Sequence, residues 1–235
     1  MLPFFAEHGR ALIDWAGPAP GIRVLDAGAG RGAVAAAAAA HGCAVTAVDA
    51  APAMVARLAA EHPAIATGVM RADRLAFAGS SFDLVTAGFL VHLVADPAAV
   101  IAELRRVLRP GGTLVVSVPE PASPPSPWAF LWPMLEEYER YLPVRPGRVG
   151  EPLDLDGLLA GAGFGEVTRT TVAVALPVPD TATFWRWTST HGLRPFLDLL
   201  PDVARAELRG RVDARMSTMD PIVLDWPAAL WRATG

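Results

Sequence analysis

The segment VLDAGAGRG at residues 24–32 decides the fold. An apolar run passes into Gly28, Gly30 and Gly32, and a row of alanines from Ala33 onward then favours helix. Strand, glycine turn and helix open an α/β unit, and open sheets of that kind place ligands at the carboxyl ends of their strands. Glycines at such a turn let the backbone bend tightly and approach a ligand. They do not choose the ligand, because Gly28, Gly30 and Ala33 also fit the dinucleotide fingerprint G-x-G-x-x-G/A. Asp26 helps to choose. A carboxylate at the strand end repels a pyrophosphate and attracts an ammonium group. A second carboxylate, Asp49, ends the next apolar run and can accept from both hydroxyls of a ribose, whichever ligand is bound. The plain alternative for both residues is that each caps the helix or turn that follows.

Outward from this loop, the first 118 residues alternate short apolar runs with helical patterns. IRVLDA (22–27), CAVTAVD (43–49), AIATGVM (64–70), FDLVTAG (82–88) and TLVVSV (113–118) read as strands buried on both faces, as a parallel sheet requires. Helices are expected over 31–41, 51–62 and 96–108, which gives a doubly wound α/β sheet. Residues 119–127, PEPASPPSP, continue neither strand nor helix. An aromatic helix is expected from Trp128 to Tyr141, then a loop, PVRPGRVGEP, and a helix over 153–162 stopped by Gly163. GEVTRTTVAVAL (165–176) reads as a sixth strand, Thr181 to about Met216 as mostly helical, and AALWRAT (228–234) as a final strand. A single domain over 1–235 is expected, with its core at 1–118 and lid or substrate insertions at 119–150 and 177–220.

Composition removes several classes of function. The formal charge is −4 with no basic stripe, which argues against a nucleic-acid partner. All basic residues are arginine, so no lysine exists for Schiff-base chemistry or a Walker-type phosphate loop. The single cysteine, Cys43, cannot form an internal disulfide or a cysteine-rich metal site, and no metal is expected. No apolar run reaches the length of a membrane span, and the N-terminus does not read as a signal peptide. A cytoplasmic location is the resulting expectation. Nothing in the sequence sets the oligomeric state.

Four segments together resemble the class I S-adenosylmethionine-dependent methyltransferases, in the small-molecule group that includes the ubiquinone-biosynthesis type. They are VLDAGAGRG, AVDAAPAM (47–54), SSFDLVTAGFLVHLVADP (80–97) and ELRRVLRPGGTLVVS (103–117). The resemblance is strong over 20–118 and loose beyond. It implies a Rossmann-like sheet of order 3-2-1-4-5-7-6, with an antiparallel seventh strand that AALWRAT would supply. It also implies S-adenosylmethionine as cofactor, with Asp26, Gly28, Ala29, Gly30 and Gly32 at the methionine moiety and Asp49 at the ribose. Ala50 and Met54 complete that side, and Gly88 and Phe89 line the sulfonium side. One departure stands out. Relatives often place Gly-Asp-Ala where this chain has MRADRLAF (70–77), so Arg71 occupies the position of an adenine-reading aspartate. The Ala72 amide and the carboxylate of Asp73 are then the candidates for the adenine edge.

Methyl transfer to a hydroxyl is helped by a general base, and histidine suits neutral pH. His92 lies just past the fourth strand, and His191 lies in the expected lid; these are the two candidates. His41 and His62 end predicted helices, and His8 sits in the N-terminal helix. Trp128, Phe130, Trp132, Phe184, Trp185 and Trp187 gather outside the core sheet, as a small core of their own or as an apolar acceptor surface. The expected activity is methyl transfer to a small organic acceptor, on oxygen ahead of carbon or nitrogen. Two rivals stay open: an NAD(P)-dependent oxidoreductase, and a fold relative that keeps the cofactor as structure.

Overall fold

The computed structural model describes residues 2–122, 124–142, 153–189 and 193–235. The element opening the chain is helix α1, Phe4–Ala16. The seven strands are β1 Arg23–Ala27, β2 Ala44–Asp49, β3 Ala66–Val69, β4 Phe82–Gly88, β5 Leu108–Pro119, β6 Val167–Pro177 and β7 Val223–Thr234. Their order is β3-β2-β1-β4-β5-β7-β6, with β1 to β5 joined by parallel pairings and β7 antiparallel to β5. This is the topology implied by the resemblance. The helices between strands are α2 Ala33–Ala40, α3 Pro52–Glu61 and α4 Pro97–Val107, followed later by α6 Leu155–Gly161.

The apolar runs are continuous because both faces of the sheet are covered. Leu25, Ala27, Val85, Ala87, Leu114 and Val116 join a cluster that includes Ile101, Leu104, Leu155 and Leu159 from α4 and α6. Their immediate neighbours Val24, Leu84 and Val115 join a second cluster with Leu12, Ile13, Ala35, Ala38 and Leu58 from α1, α2 and α3. Alternate side chains therefore point to opposite faces and both faces are buried. The alanine row has a packing purpose as well. Ala35 and Ala38 are fully enclosed, and a helix with so small a face can lie close to the strands.

Two strands differ from the sequence reading. β5 begins at Leu108, directly where α4 ends, and its partner on β4 shifts from Leu108 opposite Phe82 to Thr113 opposite Leu84. The residues RPGG between them form an irregularity that the sequence pattern reads as a loop. β7 begins five residues before the expected AALWRAT, through VLDWP, where Asp225 and Pro227 break the apolar pattern.

The chain divides into two compact units. One comprises Phe5–Pro119, Gly150–Val172 and Ala228–Gly235, and holds the glycine loop. The other comprises Met1–Phe4, Glu120–Val149 and Ala173–Pro227. Inside this second unit, the region expected as one aromatic helix is α5, Leu131–Tyr138, with a short 3-10 turn, and the later helical region is α7 Thr181–Thr188, α8 Arg194–Leu199 and α9 Asp202–Met216. Its rings pack on one another: Trp187 lies 5.1 Å from Phe4 and 5.7 Å from Trp226, and Trp132 lies 6.0 Å from Trp226. The buried Trp128 donates its indole N–H to the Val223 carbonyl at 2.6 Å. The expected loop at 143–152 lies outside the described residues. No described helix is long and apolar enough to cross a membrane.

Two glycines separate packing from propensity. Gly9 of α1 lies against the start of α2, where an added Cβ would meet the Ala33 carbonyl oxygen at 2.7 Å. Gly210 of α9 has nothing within 4 Å. Gly9→Ala should cost about 1–3 kcal/mol by overpacking, whereas Gly210→Ala should add about 0.5–1 kcal/mol through helix propensity. Urea denaturation of the two variants measures both signs.

Candidate functional site

The loop after β1 is built around Asp26. This residue is 1% exposed, and neither carboxylate oxygen is idle. Oδ2 accepts the backbone N–H of Ala35 in the first turn of α2 at 3.0 Å, and Oδ1 accepts the hydroxyl of Thr86 on β4 at 2.9 Å. The sequence reading gave this carboxylate to a ligand ammonium. The structure encloses it, as a cap on α2 and a tie between β1 and β4. Burial pushes its pKa up to about 7; the Thr86 and Ala35 bonds pull it back, and the nearby charge of Asp49 adds to the rise.

The glycines then carry the chain over this buried group. Gly28 has φ +69°, a backbone that favours glycine, and a Cβ there would stand 2.6 Å from the Leu90 side chain, which would have to shift. Gly30 also has positive φ, +54°, but a Cβ on it would meet nothing within 4 Å. It faces open space, as a ligand seat demands. Gly32 completes the turn at φ +87° and abuts Leu58.

Asp49, at the end of β2, is half-buried and holds the loop from the other side. Its Oδ2 accepts Gly30 N–H at 2.8 Å and its Oδ1 accepts Ala51 N–H at 2.9 Å. Each oxygen keeps a lone pair for a further donor. Two further loop amides are committed: Ala29 N–H donates to the Val48 carbonyl at 2.9 Å, and Gly32 N–H to the Ala29 carbonyl at 2.7 Å. A dinucleotide loop works by aiming such amides, and the N-terminus of the next helix, at a pyrophosphate. Here Ala29, Gly30, Gly32 and Ala35 spend them inside the protein. Two carboxylates, no committed cation and an open seat above Gly30 fit a cationic adenosyl ligand rather than a pyrophosphate.

Around this seat, Ala50 and Met54 are exposed past β2, and Met54 retains 43% of its surface. Past β3, Ala72 is half-buried, and Asp73 is gripped by Arg71 in a two-pronged pair at 2.9 and 2.6 Å. That grip holds the Asp73 carboxyl below its ordinary range. Past β4, Gly88 passes close to Val34, and Phe89 takes a left-handed φ of +52°, uncommon for a bulky residue. Its N–H is fixed by the Ser117 carbonyl at 3.0 Å and hydroxyl at 3.1 Å. The Phe89 ring gathers Phe5 at 5.7 Å, the buried His8 at 5.2 Å and His92 at 6.4 Å.

His92 stands in a 3-10 turn, Val91–Leu93, and burial lowers its pKa to about 4, so the imidazole is neutral at physiological pH. Its Nδ1 is buried without a hydrogen-bond partner among the described residues. The other expected base, His191, lies outside the described residues. Thr86, Ser117 and Leu90 were missed by sequence reasoning. Thr86 and Ser117 had a signal, each being a polar residue in the apolar run of a central strand. No described group of three or more His, Cys, Asp or Glu residues is placed to hold a metal ion.

Comparison with known proteins gives the family and the fold. Residues 25–116 match the family model described as a methyltransferase domain. The chain is 31% identical over 96% of its length to nocamycin O-methyltransferase of Saccharothrix syringae, covering 90% of that protein. It is 42% identical to demethylmenaquinone methyltransferase of Beutenbergia cavernae over 51% of this chain and 48% of that one. Among solved structures, the YcgJ protein of Bacillus subtilis superposes with a TM-score of 0.64 at 19% identity, over 97% of this chain and 98% of that one. Haemonchus contortus phosphoethanolamine N-methyltransferase 2, solved with S-adenosylhomocysteine, gives 0.60 at 18% identity over 97% of this chain and 52% of that one. At those identities the two structures speak for the fold alone.

The enclosure of Asp26 sets a pH dependence of stability. Its ordinary carboxyl pKa of 3.8 applies to the unfolded chain and about 7 to the folded one. Between those values the unfolded chain sheds its proton first, so the stability this group contributes at low pH is lost as pH rises toward 7. The slope is up to about 1.4 kcal/mol per pH unit. Asp26→Asn should remove that decline, so urea titrations from pH 4.5 to 7.5 should show a flatter profile than the parent. Parallel profiles would contradict the assignment.

Proposed function

Because the chain belongs to the S-adenosylmethionine-dependent methyltransferases, we propose that it methylates a small organic acceptor, on oxygen in preference to carbon or nitrogen. The observation that supports this reading is the loop itself: a Cβ on Gly30 would meet nothing within 4 Å, the Asp49 carboxylate stands beside it, and the Gly30 amide is already given to that carboxylate. Bound S-adenosylmethionine supplies an electrophilic methyl group on a sulfonium.

The chain's own residues do the rest. Asp49 accepts from the ribose hydroxyls with its free lone pairs, while its existing bonds to Gly30 and Ala51 keep it aimed. Gly28, Ala29, Gly30 and Gly32 shape the seat of the methionine moiety, and Asp26 acts on it from behind as a buried charge. Ala50 and Met54 give the adenosine an apolar flank. Ala72 and Asp73 meet the adenine edge, with Asp73 oriented by Arg71. Gly88 and Phe89 bound the side from which the acceptor approaches.

His92 is the base we assign to a hydroxyl acceptor. A neutral imidazole can accept the hydrogen of that hydroxyl as the oxygen gains its methyl group. The preference for oxygen rests on this residue and on the similarity, over nearly the whole chain, to an O-methyltransferase. The unit formed by 120–149 and 173–227 is the part we assign to acceptor selection, on the strength of its tryptophan-rich ring cluster.

Calorimetry with S-adenosylhomocysteine should show micromolar binding, and NADP should show none. Asp49→Ala should weaken it about ten- to a hundredfold, the loss of one or two hydrogen bonds to a charged acceptor. Incubation with phenolic, carboxylic, amine and activated-carbon acceptors, read by product mass spectrometry, should give O-methyl products. His92→Gln should lower kcat more than it raises KM. An unchanged titration for Asp49→Ala would remove the ribose assignment, and products methylated only on nitrogen or carbon would remove the preference for oxygen.

A further inference from the structure

One hydroxyl beneath the glycine loop has two places to put its hydrogen. Thr86 is fully buried in β4, and its Oγ1 stands 2.9 Å from Asp26 Oδ1 and 3.3 Å from the carbonyl oxygen of Leu25. With Asp26 ionised, the Thr86 hydroxyl donates to the carboxylate. With Asp26 protonated on Oδ1, the carboxylic O–H donates to Thr86 Oγ1 and the threonine hydrogen turns to the Leu25 carbonyl. The other oxygen, Oδ2, accepts Ala35 N–H in either state. Both states are satisfied with no heavy atom displaced. That is unusual for a buried carboxyl, because one of its two states normally leaves a donor or acceptor unpaired, which costs free energy.

We propose that Thr86 is a positioning residue that lets Asp26 hold or shed a proton, so that binding of the cationic methyl donor expels that proton while binding of the demethylated product expels less. The inference rests on the placement of the cofactor at the glycine loop. In the step, the proton leaves Asp26 Oδ1 for solvent and the Thr86 hydrogen rotates from the Leu25 oxygen to Asp26 Oδ1. The donor carries a sulfonium beside its ammonium and carboxylate, hence a net positive charge. S-adenosylhomocysteine keeps the ammonium and carboxylate, loses the sulfonium and has no net charge. A cation seated over the loop stabilises the ionised form of Asp26, and by linkage the ionised form binds the cation more tightly.

The groups that face Asp26 leave it as the element that titrates. From β2, Asp49 contributes a like charge, and α2 contributes a backbone N–H and no charged side chain. From β4 comes only Thr86. Arg31, in the loop, is turned outward to Glu61 at 2.7 Å. The imidazoles of His8 from α1 and His92 past β4 pack on Phe89. Burial raises the Asp26 pKa to about 7, so a proton is there to be expelled at neutral pH.

The test is calorimetry of S-adenosylmethionine and S-adenosylhomocysteine in phosphate and in Tris, from pH 5.5 to 8. The difference in observed heat between buffers counts protons, and the difference between ligands cancels their shared amino group. The parent should release a fraction of a proton more with S-adenosylmethionine. Its preference for that ligand over S-adenosylhomocysteine should rise about tenfold across the range, the linkage of a one-unit pKa change. Asp26→Asn should abolish both effects. Thr86→Val removes the donor that favours the ionised state, so the release should move to higher pH. This second variant decides the matter if the first does not fold. Binding with equal proton release for the two ligands, release that survives in Asp26→Asn, or an unmoved profile in Thr86→Val would overturn the proposal. Absence of any binding heat would instead remove the cofactor placement, and this inference with it.

Discussion

The structure depends on one carboxylate placed where a helix begins. Four amides at the start of any α-helix lack partners within it, and the helix dipole makes that end weakly positive. Asp26 fills part of that need for α2 through Ala35, and its second oxygen reaches across to Thr86 on β4. A single side chain therefore joins β1, α2 and β4 at the point where the sheet meets the loop. Gly28, Gly30 and Gly32 have left-handed backbones because the chain must pass over this group before the helix starts. Asp49 completes the frame from β2 by accepting Gly30 N–H. The carboxyl ends of three adjacent strands are thereby held in register around one seat.

The same interaction governs what the seat can take. In a dinucleotide-binding loop, the helix N-terminus and the glycine amides remain for the pyrophosphate. In this protein the helix end already has an anion, a residue of the chain itself, and the amides of Ala29, Gly30 and Gly32 are paired within the chain. Adding a phosphate would place a third negative centre beside Asp26 and Asp49. A sulfonium with an ammonium reverses the sign of that interaction. Burying a carboxylate is costly, and the cost is visible in the raised pKa of Asp26, which its two hydrogen bonds lessen without removing. A bound cation would offset more of it.

The runs of β1, β2, β4 and β5 were legible because a sheet covered on both faces leaves near-continuous apolar stretches of strand length, whereas β3 at the sheet edge is only partly buried. The seventh strand was half legible. AALWRAT carries the apolar pattern, but the preceding VLDWP hides a strand behind Asp225 and Pro227. Of the candidate site, the placing of two carboxylates at strand ends was legible, and their surroundings less so. Asp26 and Asp49 are where the spacing of motifs put them, yet a sequence does not show that one carboxylate is enclosed and the other open. That difference comes from Thr86, which is adjacent to Asp26 only through strand pairing. The Arg71–Asp73 fork could be read as a departure from pattern, while its geometry follows from a local turn joining Arg71 and Arg74. Phe89 gave no warning of its left-handed backbone, because the cause is Ser117, far along the chain on β5.

We propose that the loop between β1 and α2, framed by Asp49, seats the methyl donor. Backbone amide NMR of the isotope-labelled chain during titration with S-adenosylhomocysteine tests it most directly. With the donor seated there, the amide signals of Gly28, Ala29, Gly30 and Gly32 should move together with those of Asp49, Ala50 and Phe89, and saturate at one common affinity. Saturable shifts confined to residues 120–142 and 173–227, with the loop amides unmoved, would contradict it.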